Sequence, residues 1–523
     1  MFRSLTNINR LLRAGRILAQ HDALIPHEYK AHVPASLRMA AWLLFGGAKK
    51  ANTGLPPGER LANAFQQIGP SAIKLGQLLA TRPDILGPDV TRGLEALQDR
   101  LPPFPDDQAR RAIETDLGKP IAELFAELGP PVAAASIAQV HKAVTAGAAP
   151  MQVAVKVLRP GIENEFARDF DAFRFAAAMA ERFSPETRRL RPIALVETLA
   201  ASVAIELDLR MEAAAAAELA NNMREEKGFR VPDVDWSRTG ARVLTTEWVK
   251  GTPLRDAATL EAAGHDPKRI AFAVIQTFLT QALRDGFFHA DMHPGNLFVD
   301  AEGRIVAVDF GIMGRLTPAL RRFMAETLMG FIGRDYTRVA EVHFEMGFVA
   351  PHHSIETFAQ ALRAIGEPVF GRTMGEVSMA RMLEQLFDTT RRFEMQMQPQ
   401  LILMQKTMVV VEGVARALYP DMDVWDAARP VVEQWMVNRL GPEARLREAA
   451  EGMTTIGKLA QHLPQLLRNA DAVAAMLAEG GLRLHPDTAR EIAEVQAKRM
   501  RYAYGALWVT AGALGLVALL GLL

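Results

Sequence analysis

The chain has 523 residues, more than one hydrophobic core usually serves, so two or three domains are expected. Its 60 basic and 60 acidic side chains cancel, which argues against a general nucleic-acid binder. It has no cysteine, and this excludes disulfides, thiolate zinc sites and cysteine nucleophiles.

The N-terminal run "MFRSLTNINRLLRAGRILAQ" carries four arginines and no acid, and Leu5, Ile8, Leu11, Leu12 and Leu18 can share a helical face. It reads as a membrane-surface helix, an organelle transit peptide, or a helix packing its apolar side on the protein. Residues 1–60 read as helical and close at the loop "NTGLPPGER". Gly69–Pro70 is a break, a helix starts at about Ser71, and Pro83 stops it. "LPPFPDD", Leu101 to Asp107, is a linker before a short helix. Two β-like runs, "AQVHKAV" and "QVAVKVLRP", flank the turn "TAGAAP". Residues 192–227 read as one helix, "RVLTTEWVKGTPL" as a strand and turn, and Arg269 to Asp285 as a helix. "RIVAVDFGIM" is a short β run with an acid at its tip, and from about 318 to 500 the pattern is helical. Tyr502 to Leu523 has no charge and follows Lys498, Arg499 and Arg501. That is about the 20 residues a bilayer-crossing helix needs, so a C-terminal transmembrane helix with its N-terminal side cytoplasmic is expected. Strands in front, helices behind and a polar loop between short strands predict a two-lobed α+β fold.

The chemistry concentrates in "GFFHADMHPGNLFVD", Gly286 to Asp300. Asp291 and Asn296 are five apart, and Asp309 follows in "VDFG". In a kinase catalytic loop such an aspartate accepts the proton of the acceptor hydroxyl, while the asparagine and the second aspartate hold Mg²⁺. Gly311 permits a turn after Phe310. Upstream, Lys156 in "VAVKV" matches the strand lysine that grips nucleotide phosphates, and Glu212 in "LRMEAAAA" is the helical carboxylate that would orient it. Each feature alone is weak; Lys156 by itself would read as a snorkelling strand lysine. The order strand lysine, helix glutamate, D-x₄-N, D-F-G is that of a kinase.

With these residues in hand, the chain resembles the UbiB/ADCK family of atypical kinases over most of its length. "KLGQ", Lys74 to Gln77, matches the family's K-x-G-Q motif, and "AAASIAQVH", Ala133 to His141, its Ala-rich loop. "ELD", Glu206 to Asp208, matches its E-x-D motif. The resemblance implies a protein-kinase-like fold with helical N- and C-terminal extensions. It divides the chain into an N-terminal helical region (1–60), a KxGQ extension (61–130), a kinase-like N-lobe (131–250), a C-lobe core (251–330), a helical region (331–500) and a membrane anchor (501–523). It implies ATP and Mg²⁺ as cofactors. The nucleotide would meet Ala133, Ala134, Ala135, Ser136, Ile137, Ala138, Gln139, Val140 and Lys156, with Glu247 and Val249 beyond them. Asn296 and Asp309 would hold metal, and Asp291, Lys156 and Glu212 would be catalytic. The KxGQ helix would lie over the active site, with Lys74 near Glu206 and Asp208. Lys74 and Lys156 would then serve Asp208 and Glu212, and Gln77 shares the helix face of Lys74. The implied role is support of ubiquinone biosynthesis at the bacterial inner membrane, with the catalytic domain cytoplasmic. Membrane lipids, quinone precursors and other ubiquinone-biosynthesis proteins are the implied partners, and homodimerisation is allowed.

Three other readings stand beside this one. A small-molecule phosphotransferase of the aminoglycoside or choline kinase type explains the H-x-D-x-H-x-x-N loop but not KLGQ or the Ala-rich loop. A metal-dependent hydroxylase could use His289, Asp291 and His293. A pseudokinase scaffold would bind nucleotide without turnover.

Overall fold

The computed structural model describes chiefly residues 2–24, 35–46, 54–80, 87–95, 102–183, 191–369, 388–395 and 398–440. Residues 1–436 form one unit and 437–523 a second, of which only 437–440 are described.

Among the described residues, ten strands make three small sheets. β1 (Phe125–Ala134), β2 (Ala138–Thr145), β3 (Gln152–Leu158) and β5 (Val243–Glu247) form an antiparallel sheet in the order β1-β2-β3-β5. β4 (Phe229–Arg230), β6 (Thr252–Pro253), β8 (Leu297–Val299) and β9 (Ile305–Ala307) form a second, in the order β4-β9-β8-β6. β7 (Phe287–His289) pairs antiparallel with β10 (Met313–Arg315).

The first sheet explains how Lys156 comes to face a cleft. Side chains alternate along a strand, so Val153, Val155 and Val157 fall on one face of β3. They are buried there with Ala109 and Ile113 of the Asp106–Leu117 helix. Lys156 points the other way. β1 was not legible as a strand, because Pro130, Pro131 and three alanines are poor strand formers. Pro is tolerated here because β1 is an edge strand, and its pairing with β2 slips around Leu128 and Pro131.

The expected single helix over 192–227 is two. Pro192–Glu206 ends before Asp208, which caps the Leu209–Asn222 helix by accepting the Arg210 N–H at 3.1 Å. An N-cap aspartate offers the first turn an acceptor that a continuous helix has no use for. A 22-residue helix, Ile162–Phe183, packs against Pro192–Glu206; Phe166, Phe170, Leu199, Val203 and Ala213 form their common core.

Ahead of this lobe, the helices Pro57–Ile68, Pro70–Ala80 and Pro88–Glu95 close around Phe65, Ile73 and Leu94. The first and third cross glycine on glycine: a Cβ on Gly93 would lie 2.4 Å from the Gly58 carbonyl carbon. The arginine-bearing N-terminal helix, Phe2–Gln20, packs on the protein, with Ile17 buried and Arg10 paired to Asp169.

The second lobe is built on Pro267–Leu279 and Pro399–Leu418, whose Ile270, Val274, Met404 and Val411 share one core with Leu297 and Ile305. Pro267–Leu279 runs on through a π-helical turn, Thr280–Asp285. Ala257–Ala262, Pro318–Ile332, Tyr336–Glu345, Ile355–Gly366 and Val424–Leu440 are further described helices of this region.

The architecture is thus a kinase-like α+β fold, with one correction. No helix among the described residues is long and apolar enough to cross a membrane. The expected C-terminal transmembrane helix, and the inner-membrane placement that hung on it, are therefore withdrawn. The segments behind them, 501–523 and the helical stretch expected over 441–500, lie outside the described residues.

Candidate functional site

Three elements bring two of the predicted catalytic side chains, Lys156 and Glu212, together with the predicted metal ligand Asp309. β3 presents Lys156, the Leu209–Asn222 helix presents Glu212 one turn after its cap, and the segment between β9 and β10 presents Asp309. Lys156 Nζ donates to both Glu212 oxygens, at 2.8 and 2.9 Å, and to Asp309 Oδ1 at 3.0 Å. Glu212 is buried at 8% exposure, whereas the Asp309 side chain is 51% exposed.

One ammonium between two carboxylates leaves one net negative charge, and environment decides which acid takes up a proton more readily. Burial pushes the Glu212 carboxyl up to about 7, against the pull of Lys156. Lys156 holds Asp309 below the ordinary carboxylate range. Burial pulls the Lys156 ammonium down, yet Asp309 and Glu212 together keep it above its usual value. Asp309, not Gly311, is the left-handed residue of the turn, with φ of 63°. Its carboxylate accepts the Gly311 N–H at 3.4 Å, the local bond that lets aspartate tolerate this region.

The predicted catalytic loop spans β7 to β8. The Asn296 amide donates to the Asp291 carbonyl at 3.0 Å and to Asp291 Oδ2 at 3.2 Å. β8 pairs with β9, and just before β8 the Asn296 carbonyl accepts the Val308 N–H at 2.9 Å, next to Asp309. With its nitrogen spent on Asp291, Asn296 has its amide oxygen for a hard cation, and Asp309 supplies a carboxylate. Both are donors that Mg²⁺ takes, so the residues present fit the ion. The Asp291 carboxylate is 37% exposed and lies 3.6 Å from His293 Nε2. His293 Nδ1 accepts the Gly295 N–H at 2.9 Å, and a Cβ on Gly295 would meet the ring at 2.7 Å.

His289 is fully buried. Its Nδ1 accepts the Asp291 N–H at 3.1 Å, and its Nε2 donates to the Val308 carbonyl at 3.2 Å. Burial lowers its pKa and keeps it neutral. Both ring nitrogens are committed, so no lone pair is left for a metal. This removes the His289–Asp291–His293 hydroxylase reading and shows His289 as a strut between the catalytic loop and the Asp309 segment.

The Ala-rich loop is the tip of the β1–β2 hairpin: Ala133 and Ala134 end β1, Ala135–Ile137 turn, and Ala138–Val140 open β2. The Ala135 N–H donates to the Ala138 carbonyl at 2.8 Å, and the Arg159 guanidinium clamps the Ala135 carbonyl at 3.0 Å. Ser136 and Gln139 are fully buried, and Gln139 Oε1 accepts the Phe104 N–H of the linker at 2.9 Å. Glu247 lies at the end of β5 in a two-pronged pair with Arg230, at 2.7 and 3.0 Å, and Val249 is half-buried in the connection that follows.

Lys74 is buried at 8% exposure with Nζ 2.5 Å from Glu206, at the end of the helix that leads into Asp208 and Glu212. Asp208 is served by Arg210 at 2.7 and 2.8 Å. Gln77, one turn after Lys74, is half-buried.

One supporting contact escaped the sequence reading. Thr407 Oγ1 shares its one proton between the Leu403 carbonyl of its own helix at 2.9 Å and the Ala290 carbonyl at 3.1 Å, and the second contact ties the predicted catalytic loop to the Pro399–Leu418 helix. The signal was a hydroxyl within the apolar stripe Met404, Val411, Val414 and Leu418, at helical spacing.

Residues 96–343 match the ABC1 atypical kinase-like domain, and residues 362–423 match the UbiB helical domain. A protein described as a probable protein kinase UbiB, from Marinobacter nauticus, is 40% identical over 477 residues, covering 89% of this chain and 85% of the relative. The chain belongs to the UbiB family of atypical kinases. Other UbiB relatives of the same description agree: one from Aeromonas hydrophila is 41% identical over 465 residues (88% of this chain, 84% of the relative). One from Cellvibrio japonicus is 38% identical over 501 (94% and 89%). Among solved structures, the Rv3197–erythromycin complex from Mycobacterium tuberculosis aligns with a TM-score of 0.51 at 22% identity. It covers 76% of this chain and 98% of that one, and bears on the fold alone. The UbiB assignment accounts together for KLGQ, the Ala-rich hairpin, the E-x-D segment and the helical region, which a small-molecule kinase would not share.

Proposed function

We propose that this UbiB-family chain binds ATP with Mg²⁺ between its lobes and uses phosphoryl transfer or ATP hydrolysis in support of ubiquinone biosynthesis. It would act on a lipid-like quinone precursor or organise the biosynthetic proteins. The observation that carries this reading is the Lys156 ammonium held by Glu212 and Asp309, which lie 56 and 153 residues away in sequence. Asn296 and Asp309 would hold Mg²⁺, which when bound neutralises phosphate charge. Lys156, oriented by Glu212, grips phosphate oxygens. Asp291 accepts the proton of the attacking hydroxyl or water, and its exposure leaves it open to either. The hairpin from Ala133 to Val140 covers the nucleotide, and its alanine Cβ atoms restrict the backbone where other kinases use glycines.

The test is calorimetric titration of Mg-ATP beside an ATPase assay with phenolic quinone-precursor analogues. Asp309→Asn is expected to remove Mg-dependent binding. Asp291→Ala is expected to keep binding and lose about 10²–10⁴ in turnover. Unaltered Mg-ATP binding and turnover in Asp309→Asn would overturn the proposal.

A further inference from the structure

A second cluster of chemically capable groups lies apart from the residues assigned above. His352 and His353 precede the Ile355–Gly366 helix, and Glu394 follows a short helical turn at Thr389–Phe393. One ligand atom from each of the three lies within 4.8 Å of the other two. His352 Nε2 is 3.9 Å from Glu394 Oε2, and the two imidazole rings are 4.1 Å apart, centre to centre.

The geometry points to a divalent-cation site formed by His352, His353 and Glu394, of the chemistry that suits Zn²⁺. Two imidazoles and one carboxylate are zinc ligands, with bonds of about 2.0–2.2 Å and a fourth tetrahedral position for water. In such a tetrahedron the ligand atoms stand roughly 3.3 Å apart. The 3.9 Å gap between His352 and Glu394 therefore closes by about 0.6 Å and the widest gap in the set, at most 4.8 Å, by no more than about 1.5 Å, within the reach of side-chain torsions. An ordinary histidine–glutamate ion pair would explain His352 and Glu394 but not His353. His353 Nε2 is shielded from solvent and has no hydrogen-bond partner among the described residues. A buried donor or acceptor without a partner is unfavourable, and a cation coordinated by the ring relieves it.

Packing holds His353 in place, while the His352 and Glu394 side chains are exposed. The His353 ring packs edge-on against Phe393 at 5.2 Å, and Phe393 packs on Phe358 at 4.8 Å, inside the core that includes Tyr336 and Leu362. Ser354 accepts the Thr357 N–H at 3.2 Å and fixes the start of the helix just after the two histidines. Glu394 itself stands in the left-handed region, with φ of 48°, where glycine is the comfortable residue.

That backbone angle supplies a test that separates the site from folding. The untagged full-length chain, stripped with chelator, is titrated with Zn²⁺ by calorimetry. It is then titrated with Co²⁺, whose visible absorption reports four-coordination. One saturable site per chain is expected, with a cation-dependent rise in Tm. His353→Ala is expected to weaken binding by at least about a hundredfold. Glu394→Gly is expected to keep or raise the Tm of the stripped protein, by relaxing the left-handed residue, while losing the rise on adding Zn²⁺. Asp309→Asn, remote in sequence and in role, is expected to bind Zn²⁺ as the unaltered chain does. Absence of a saturable site, or undiminished affinity in both His353→Ala and Glu394→Gly, would overturn the inference. Loss of affinity in Asp309→Asn would relocate the binding to the kinase-like cleft and overturn it equally.

Discussion

Replacing Glu212 with glutamine should change how stability responds to pH. An ordinary glutamyl group titrates near 4.5, and burial pushes Glu212 up to about 7. Below 4.5 the group is protonated whether the chain is folded or not. Between 4.5 and about 7 the unfolded chain releases the proton while the folded chain keeps it, so the free protein loses stability as pH rises through that window. At about 1.4 kcal/mol per pH unit, the whole window amounts to ~3 kcal/mol. Burial at 8% exposure leaves little water to screen the effect. The closeness of Lys156 and Asp309 makes the figure an upper bound. Glu212→Gln removes the titration and leaves Lys156 paired with Asp309 alone. Thermal unfolding of both proteins without nucleotide, at steps from pH 4.5 to 8, should show the native chain losing a few degrees of Tm relative to the variant. Parallel curves for the two proteins would refute the reasoning, because the buried carboxyl would then titrate alike folded and unfolded.

Two further outcomes follow from contacts outside the cleft. Lys74→Ala should cost about 3 kcal/mol in urea unfolding, since it strands the Glu206 carboxylate at a buried pair, and Lys74→Met with Glu206→Leu should recover most of that loss; a cost under about 0.5 kcal/mol would count against a structural pair. Thr407→Val removes the hydroxyl that reaches Ala290, so about 1 kcal/mol of stability should go and turnover should fall severalfold with Mg-ATP affinity unchanged; a shift in affinity with constant turnover would contradict the role given to that contact.

The candidate catalytic and metal-binding residues could be picked out because they sit in short runs of fixed spacing: Asp291 to Asn296, then Asp309 beside phenylalanine and glycine. The strand lysine was legible from its valines, since a lysine between Val155 and Val157 must face away from the core they enter. The E-x-D segment was legible as a motif and illegible as geometry. Nothing local says that Lys74 takes Glu206 while Asp208 turns to Arg210 and caps a helix; that choice depends on how the Pro70–Ala80 helix packs on Pro192–Glu206. β1 hid behind prolines whose cost vanishes at a sheet edge. The strained residue of the D-F-G turn was assigned to its glycine, yet the backbone places it at Asp309. The adjacent histidines at 352 and 353 can be seen in the sequence, but their carboxylate arrives only with the fold, from Glu394.

The reach of Thr407 to Ala290 has a practical meaning for anyone who trims this chain. The kinase-like match stops at residue 343 and the helical match begins at 362, which invites a cut between them. Such a cut would strip Met404, Val411, Val414 and Leu418 from the layer they share with Ile270 and Val274, and bare a greasy wall directly behind the catalytic loop. What looks like an appendage is the back half of the same lobe, and a shortened chain lacking it would be expected to precipitate before it could be assayed.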